Sequence, residues 1–204
     1  MSDTKEKILF TALRLFAQNG YEAVSVSAIA GELGMTKGAL YKHYKNKRDI
    51  FDSIFECMCQ DDVERAKKYG VPEVEFEYNP LPFKNTSMES LKNFIEETFR
   101  IWIEDEFARN FRKMLTLEQY RNVEMAELYQ KCILPVSYIE DLFREMIERG
   151  ILKKSDSKLL ALEFIAPYHF LISMALVDES YDMEEYANLL SAHIERFIET
   201  NQSL

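Results

Sequence analysis

Apolar residues recur at three- and four-residue steps along most of the chain, the spacing that puts them on one face of an α-helix. Ile8, Leu9, Ala12, Leu13, Leu15 and Phe16 set this rhythm and predict a first helix over 4–19. Asp3 followed by Glu6 has the form of a capping box, and Asn19-Gly20 offers a left-handed stop. After a connector over 21–24, Ser25 caps a second predicted helix over 26–33, with Ile29, Ala30 and Leu33 inward and Gly34 at its end. Thr36 caps a third over 37–44, and Asn46 a fourth over about 47–68, carrying Ile50, Phe51, Ile54, Phe55 and Met58. A loop follows over 71–86, marked by Pro72, Asn79, Pro80 and Pro82. Beyond it the pattern predicts helices over about 87–105, 107–118 and 122–149, the last kinked or broken at Pro135, and then over 157–177 and 183–199. That makes about nine helices, without an internal repeat or a low-complexity tract.

Composition agrees with an all-α reading. The 204 residues include only 6 Gly and 5 Pro, few for a chain of many short strands. Hydrophobic residues make up 47%, which excludes a disordered chain. Cys57, Cys59 and Cys132 are too few and odd in number for a disulfide framework. The polar N-terminus has no apolar core of a signal peptide. The apolar run Leu159 to Val177 is interrupted by Glu163, Pro167, His169 and Ser173, a poor membrane span and a better buried helix. The expectation is a cytoplasmic protein without a membrane partner.

A net charge of -10 argues against a nucleic-acid partner when treated as one number. The charge is not uniform, however. Residues 1–48 hold eight cations (Lys5, Lys7, Arg14, Lys37, Lys42, Lys45, Lys47, Arg48) against four acids (Asp3, Glu6, Glu22, Glu32), a balance of +4. The rest of the chain carries −14. Such asymmetry predicts two jobs in one chain. The domain division expected from it is a helix-turn-helix DNA-binding domain over 1–48 and a larger helical domain over 49–204, joined by the helix at 47–68.

Helix, glycine-containing turn and short helix over 25–44 form a helix-turn-helix pattern, whose second helix enters a DNA major groove. Ser25, Ile29-Ala30, Leu33-Gly34, Gly38, Leu40-Tyr41, His43-Tyr44, Lys47 and Ile50, with Ala12, Leu15, Phe16 and Gly20-Tyr21 in the first helix, resemble the DNA-binding region of the TetR family of bacterial transcriptional regulators. The resemblance covers about the first quarter of the chain. It implies that Ser25 faces a phosphate, that Ser27 stands where some members reach a base, and that Thr36, Lys37, Gly38 and Ala39 open the recognition helix. It further implies a phosphate contact for Tyr41, with Lys42 and His43 beside it, and a backbone grip for Lys47. His43 has a second reading as a packing or capping residue. Independently of any family, a cation in the first turn of a helix is disfavoured by roughly 0.3–1 kcal/mol, and an arriving anion reverses that sign. Lys37 and Lys47 both sit there, and Lys37 is the candidate for base contact. Gly38 in a first turn costs about 1 kcal/mol relative to alanine, which makes sense where another backbone comes close.

In the remainder, the resemblance implies a ligand-binding and dimerisation domain. The helix over 157–177 is apolar almost all round and must be covered on every side. With the last helix it resembles the pair that forms a two-fold four-helix bundle, with Phe164, Leu171, Met174, Leu189, Leu190, His193 and Phe197 as candidate interface residues. Phe99, Trp102, Tyr120 and Tyr168 are candidate pocket residues. Glu163 is paired, at a solvent rim, or a ligand anchor. An enzyme is not expected: the chain has no Gly-rich phosphate loop, metal motif or nucleophile elbow, its histidines are scattered, and no cofactor is called for. The sequence thus predicts a homodimeric repressor of a palindromic double-stranded DNA operator, released by a small molecule. The alternative is a regulator-like chain acting through a protein partner.

Overall fold

The computed structural model describes residues 3–72, 86–133, 136–177 and 180–203. They form helices α1 (Asp3–Asn19), α2 (Val26–Glu32), α3 (Lys37–Leu40), α4 (Lys47–Tyr69), α5 (Met88–Glu104), α6 (Glu106–Glu118), α7 (Val123–Cys132), α8 (Val136–Glu148), α9 (Ser157–Val177) and α10 (Met183–Asn201). The tenth helix arises because the span predicted as one over 122–149 is two. Pro135 and most of the predicted 71–86 loop lie outside the described residues.

The described residues divide into two compact units, one of residues 1–61 and 105–130, the other of 62–104 and 131–204. In the first unit α1 packs on α6 and on α2, and α2 packs on α3. Ile8, Leu9, Ala12, Leu13 and Phe16 of α1 are buried with Ile29 and Ala30 of α2, Leu40 of α3, and Ile50, Phe51 and Ile54 of α4. This is the face that the three- and four-residue spacing drew in advance.

The ends are set by local chemistry. Asn46 and Asp49 close a reciprocal cap on α4: the Asp49 amide donates to Asn46 Oδ1 at 2.8 Å, and the Lys45 amide donates to Asp49 Oδ2 at 2.7 Å. Gly34, at φ +63°, ends α2, with the Met35 amide donating to the Ala30 carbonyl at 2.9 Å. Gly20 is more constrained. Its φ is +87°, and a Cβ there would stand 2.7 Å from Glu118 Oε1 and 2.8 Å from Arg121 Nη1, whereas one at Gly34 meets nothing within 4 Å. Gly20→Ala is therefore expected to lower stability by about 2 kcal/mol, and Gly34→Ala by about 1 kcal/mol, because only the first adds a clash to left-handed strain. Chemical denaturation of the two variants measures the difference, and equal losses would count against the clash.

In the second unit α9 packs against α8, α10 and α5, and α10 against α5. Phe143, Phe164 and Phe197 form its aromatic centre, with ring centroids 5.0–5.5 Å apart. Arg100 forks onto the Glu184 carboxylate at 2.9 and 3.1 Å, tying α5 to α10. By length and composition α9 could cross a membrane, yet Leu160, Phe164, Ile165, Tyr168, Leu171 and Ile172 are buried inside this unit. It runs through Pro167, which has no amide to donate to the Glu163 carbonyl one turn earlier. Glu163 itself is exposed, which selects the solvent-facing reading among its three.

Candidate nucleic-acid interface

Two capped helices build the reading head. Ser25, in extended conformation (φ −97°, ψ 155°), accepts the Ala28 amide on its hydroxyl at 3.1 Å. Thr36 does the same for Ala39 at 3.1 Å. In each case the hydroxyl proton is left to donate outward. The third helix is shorter than the predicted 37–44. It ends at Leu40 and continues in tight turns, with the Lys42 amide donating to Ala39 O at 3.3 Å and the His43 amide to Leu40 O at 2.9 Å. Leu40 and Tyr44 are buried and anchor this segment inward. Burial pushes the Tyr44 phenol up to about 12.

Ser25, Ser27, Thr36, Lys37, Gly38, Tyr41 and Lys42 are exposed, and Ala39 and His43 half-buried. Tyr41 is 44% exposed, well out for a large ring, and the Lys37 ammonium lies 5.6 Å from its centroid. A Cβ added at Gly38 would meet only Thr36 Oγ1, at 4.0 Å. The glycine is thus not demanded by its own chain.

Lys47, expected to grip the DNA backbone, makes its own contacts within the chain. Its ammonium donates to Tyr21 O at 2.9 Å and Glu22 O at 3.4 Å, and lies 4.3 Å from the Tyr21 ring centroid. The cation in the first turn of α4 is compensated from within the chain, by carbonyls of the α1–α2 turn. Arg48 is likewise engaged: it forks onto Glu124 at 2.6 and 2.9 Å and bonds Asp52 at 2.6 Å. These hydrogen bonds raise the Arg48 pKa and hold the Glu124 carboxyl below its ordinary value. The sequence reading missed Glu118, which is 1% exposed and accepts the Tyr21 amide at 3.0 Å. The partners are 97 positions apart, and no local signal links them.

The other candidates fall in different surroundings. Phe99, Trp102 and Tyr168 are buried in the second unit, with the Phe99 and Tyr168 rings 5.9 Å apart. A cleft of about 140 Å³ is lined by Glu96, Phe99, Arg100, Ala187, Asn188, Leu190 and Ser191. Tyr120, the fourth candidate pocket residue, follows the end of α6 and is 87% exposed, unlike Phe99, Trp102 and Tyr168. Phe164, Leu171, Leu190 and Phe197, expected at a dimer interface, are at 1–8% exposure part of the core of their own unit. His193 Nε2 lies 3.0 Å from the Phe164 carbonyl. Met174 and Leu189 are exposed, as are Leu159, Leu162, Phe170 and Val177, which the sequence reading did not select. Among the described residues no group of three or more His, Cys, Asp or Glu is arranged to hold a metal.

A helix-turn-helix whose second helix carries an exposed Lys37 between the hydroxyls of Thr36 and Tyr41 is the arrangement of a DNA-binding transcriptional regulator. Residues 8–54 match the family model described as bacterial regulatory proteins, tetR family. The chain is 26% identical over 207 residues to the uncharacterized HTH-type transcriptional regulator YhgD of Bacillus subtilis, covering 98% of both. It is 28% identical over 154 residues to the HTH-type transcriptional regulator AcrR of Shigella flexneri, covering 74% of this chain and 67% of that one. SmeT, the repressor of the Stenotrophomonas maltophilia multidrug efflux pump SmeDEF, has the same fold: TM-score 0.67 at 19% identity, over 99% of this chain and 92% of that one. Its triclosan complex gives 0.70 at the same identity, over 98% and 92%. Residues 8–54 are thus similar to the DNA-binding segment of the tetR family of bacterial regulatory proteins, and the chain as a whole is similar to HTH-type transcriptional regulators.

Proposed function

We propose that this chain is a homodimeric cytoplasmic repressor that binds a palindromic operator through α3 and lets go when a small molecule enters its second unit. The observation that carries the DNA half is the row Lys37, Gly38, Tyr41 and Lys42, exposed on and just after α3. Lys37 is assigned to a base edge, and Ser25, Thr36 and Tyr41 to phosphates that fix the register. Ser27, Ala39, Lys42 and His43 border that contact, and Lys47 serves it through the turn it braces.

The homodimer is supported by α9 and α10, where Leu159, Leu162, Phe170, Met174, Val177 and Leu189 are apolar side chains left exposed. A second copy covers such a surface and brings a second α3 to the other half of a symmetric site. Release by a ligand is supported by the buried aromatic wall of Phe99, Trp102 and Tyr168, and by SmeT being a repressor that forms a complex with triclosan.

The test is a mobility shift on two duplexes: the segment upstream of the chain's own gene, and the sequence that the protein selects from a random pool. One symmetric site, bound by two chains and weakening steeply as salt rises, is the expected result. Failure to select any sequence would end this reading.

A further inference from the structure

The turn between α1 and α2 is held from both sides by ionic side chains that belong to neither helix. On one side Glu118, at the end of α6, accepts the Tyr21 amide on Oε1 at 3.0 Å, with Arg121 Nη1 at 3.4 Å from the same oxygen. On the other, the Lys47 ammonium of α4 takes the Tyr21 and Glu22 carbonyls at 2.9 and 3.4 Å. The Tyr21 ring fixes the peptide between them. Its centroid is 5.1 Å from that of Phe16, 5.4 Å from that of Phe51 and 4.3 Å from the Lys47 ammonium. Gly20 leaves the space that the carboxylate fills, since a Cβ there would come within 2.7 Å of it.

This arrangement is an uneconomical way to satisfy one amide. A carboxylate buried to 1% exposure is stripped of water, a cost met only where hydrogen bonds and countercharge are well placed. A turn left at the surface would satisfy its amide with water at no such cost. What Glu118 and Lys47 add together is a fixed position for Gly20–Glu22, and that turn leads within three residues into Ser25, the cap of α2.

We propose that Glu118 and Lys47 are positioning residues for DNA recognition: together they clamp the α1–α2 turn and set where α2 and α3 present their contacts. The proposal rests on the regulator reading and deepens it. Neither side chain need touch DNA for it to hold.

The experiment uses the full-length protein and the duplex that it selects from a random pool, beside an unrelated duplex of the same length. Glu118→Ala is expected to weaken specific binding about tenfold while binding to the unrelated duplex stays within about twofold, so that the specificity ratio falls. The slope of log affinity against log salt should not change, because no phosphate contact is removed. Glu118→Gln keeps an acceptor oxygen at the Tyr21 amide and should restore specific binding to within about threefold of wild type. Lys47→Met should repeat the Glu118→Ala pattern, and it carries the test if Glu118→Ala does not fold. A salt slope lowered by about one in Lys47→Met would make Lys47 a direct phosphate contact and overturn its place in the clamp. A wild-type specificity ratio in Glu118→Ala, or equal losses on both duplexes, would overturn the role of Glu118. If the wild-type protein selects no duplex, the regulator reading itself has failed, an outcome distinct from either of these.

Discussion

Lys37→Ala is expected to weaken operator binding by about 10- to 100-fold while leaving a folded chain. Lys37 is exposed, in the first turn of α3, and its contact within the chain is the exposed Tyr41 ring at 5.6 Å. A cation over an aromatic ring at an exposed site contributes about 0.5–1 kcal/mol. The unfavourable dipole at a helix start opposes it by a similar amount. Removing the ammonium should therefore leave the melting temperature almost unchanged. A good contact to a guanine edge, by contrast, discriminates by about 1–3 kcal/mol. The loss should depend on sequence: large on the selected duplex, small on an unrelated one. Titration of both duplexes, with the melting curve as control, measures this. Unchanged binding to the selected duplex would remove Lys37 from the site.

The second large effect is expected at Phe170→Glu. Phe170 is 64% exposed in the single chain, so the carboxylate costs little there. Buried against a second copy, it would become an unpaired charge in an apolar interface, a change of about 3–5 kcal/mol and at least a hundredfold in dimer dissociation. Sedimentation should show a monomer with wild-type helix content, and operator binding should fall with dimerisation. Phe164→Glu would give no such clean answer: Phe164 is 1% exposed at the centre of the Phe143–Phe197 cluster, and its loss would disrupt the unit itself. A stable dimer in Phe170→Glu would place the interface elsewhere.

These two experiments separate what could be read in the sequence from what could not. The reading head was legible because its signals are local. Ser25 acts on Ala28, Thr36 on Ala39 and Asn46 on Asp49, each three residues on, and Gly34 ends α2 by its own backbone. The overextended third helix shows the limit of that reasoning: the Lys42 and His43 amides bond three residues back rather than four, which hydrophobic spacing does not register. Neighbouring residues were harder still on α9. A helix apolar all round has no preferred face, so the sequence could not tell buried Phe164 and Leu171 from exposed Leu162 and Phe170. Packing against α5, α8 and α10 makes that choice. Glu118 was illegible for a different reason. A glutamate at a helix end reads as an ordinary solvated charge until a turn 97 residues earlier closes over it.

Gly38 sets stability and binding against each other. The position is helical, its φ is not positive, and the space where a Cβ would go is open apart from Thr36 Oγ1 at 4.0 Å. Alanine there should stabilise the isolated protein by about 1 kcal/mol, while filling the gap through which another backbone would approach α3. A selection for heat resistance alone would enrich Gly38→Ala; a selection for repression in the cell would discard it. Two laboratory lineages started from this chain would diverge first at that residue, and the direction taken would report which pressure had acted.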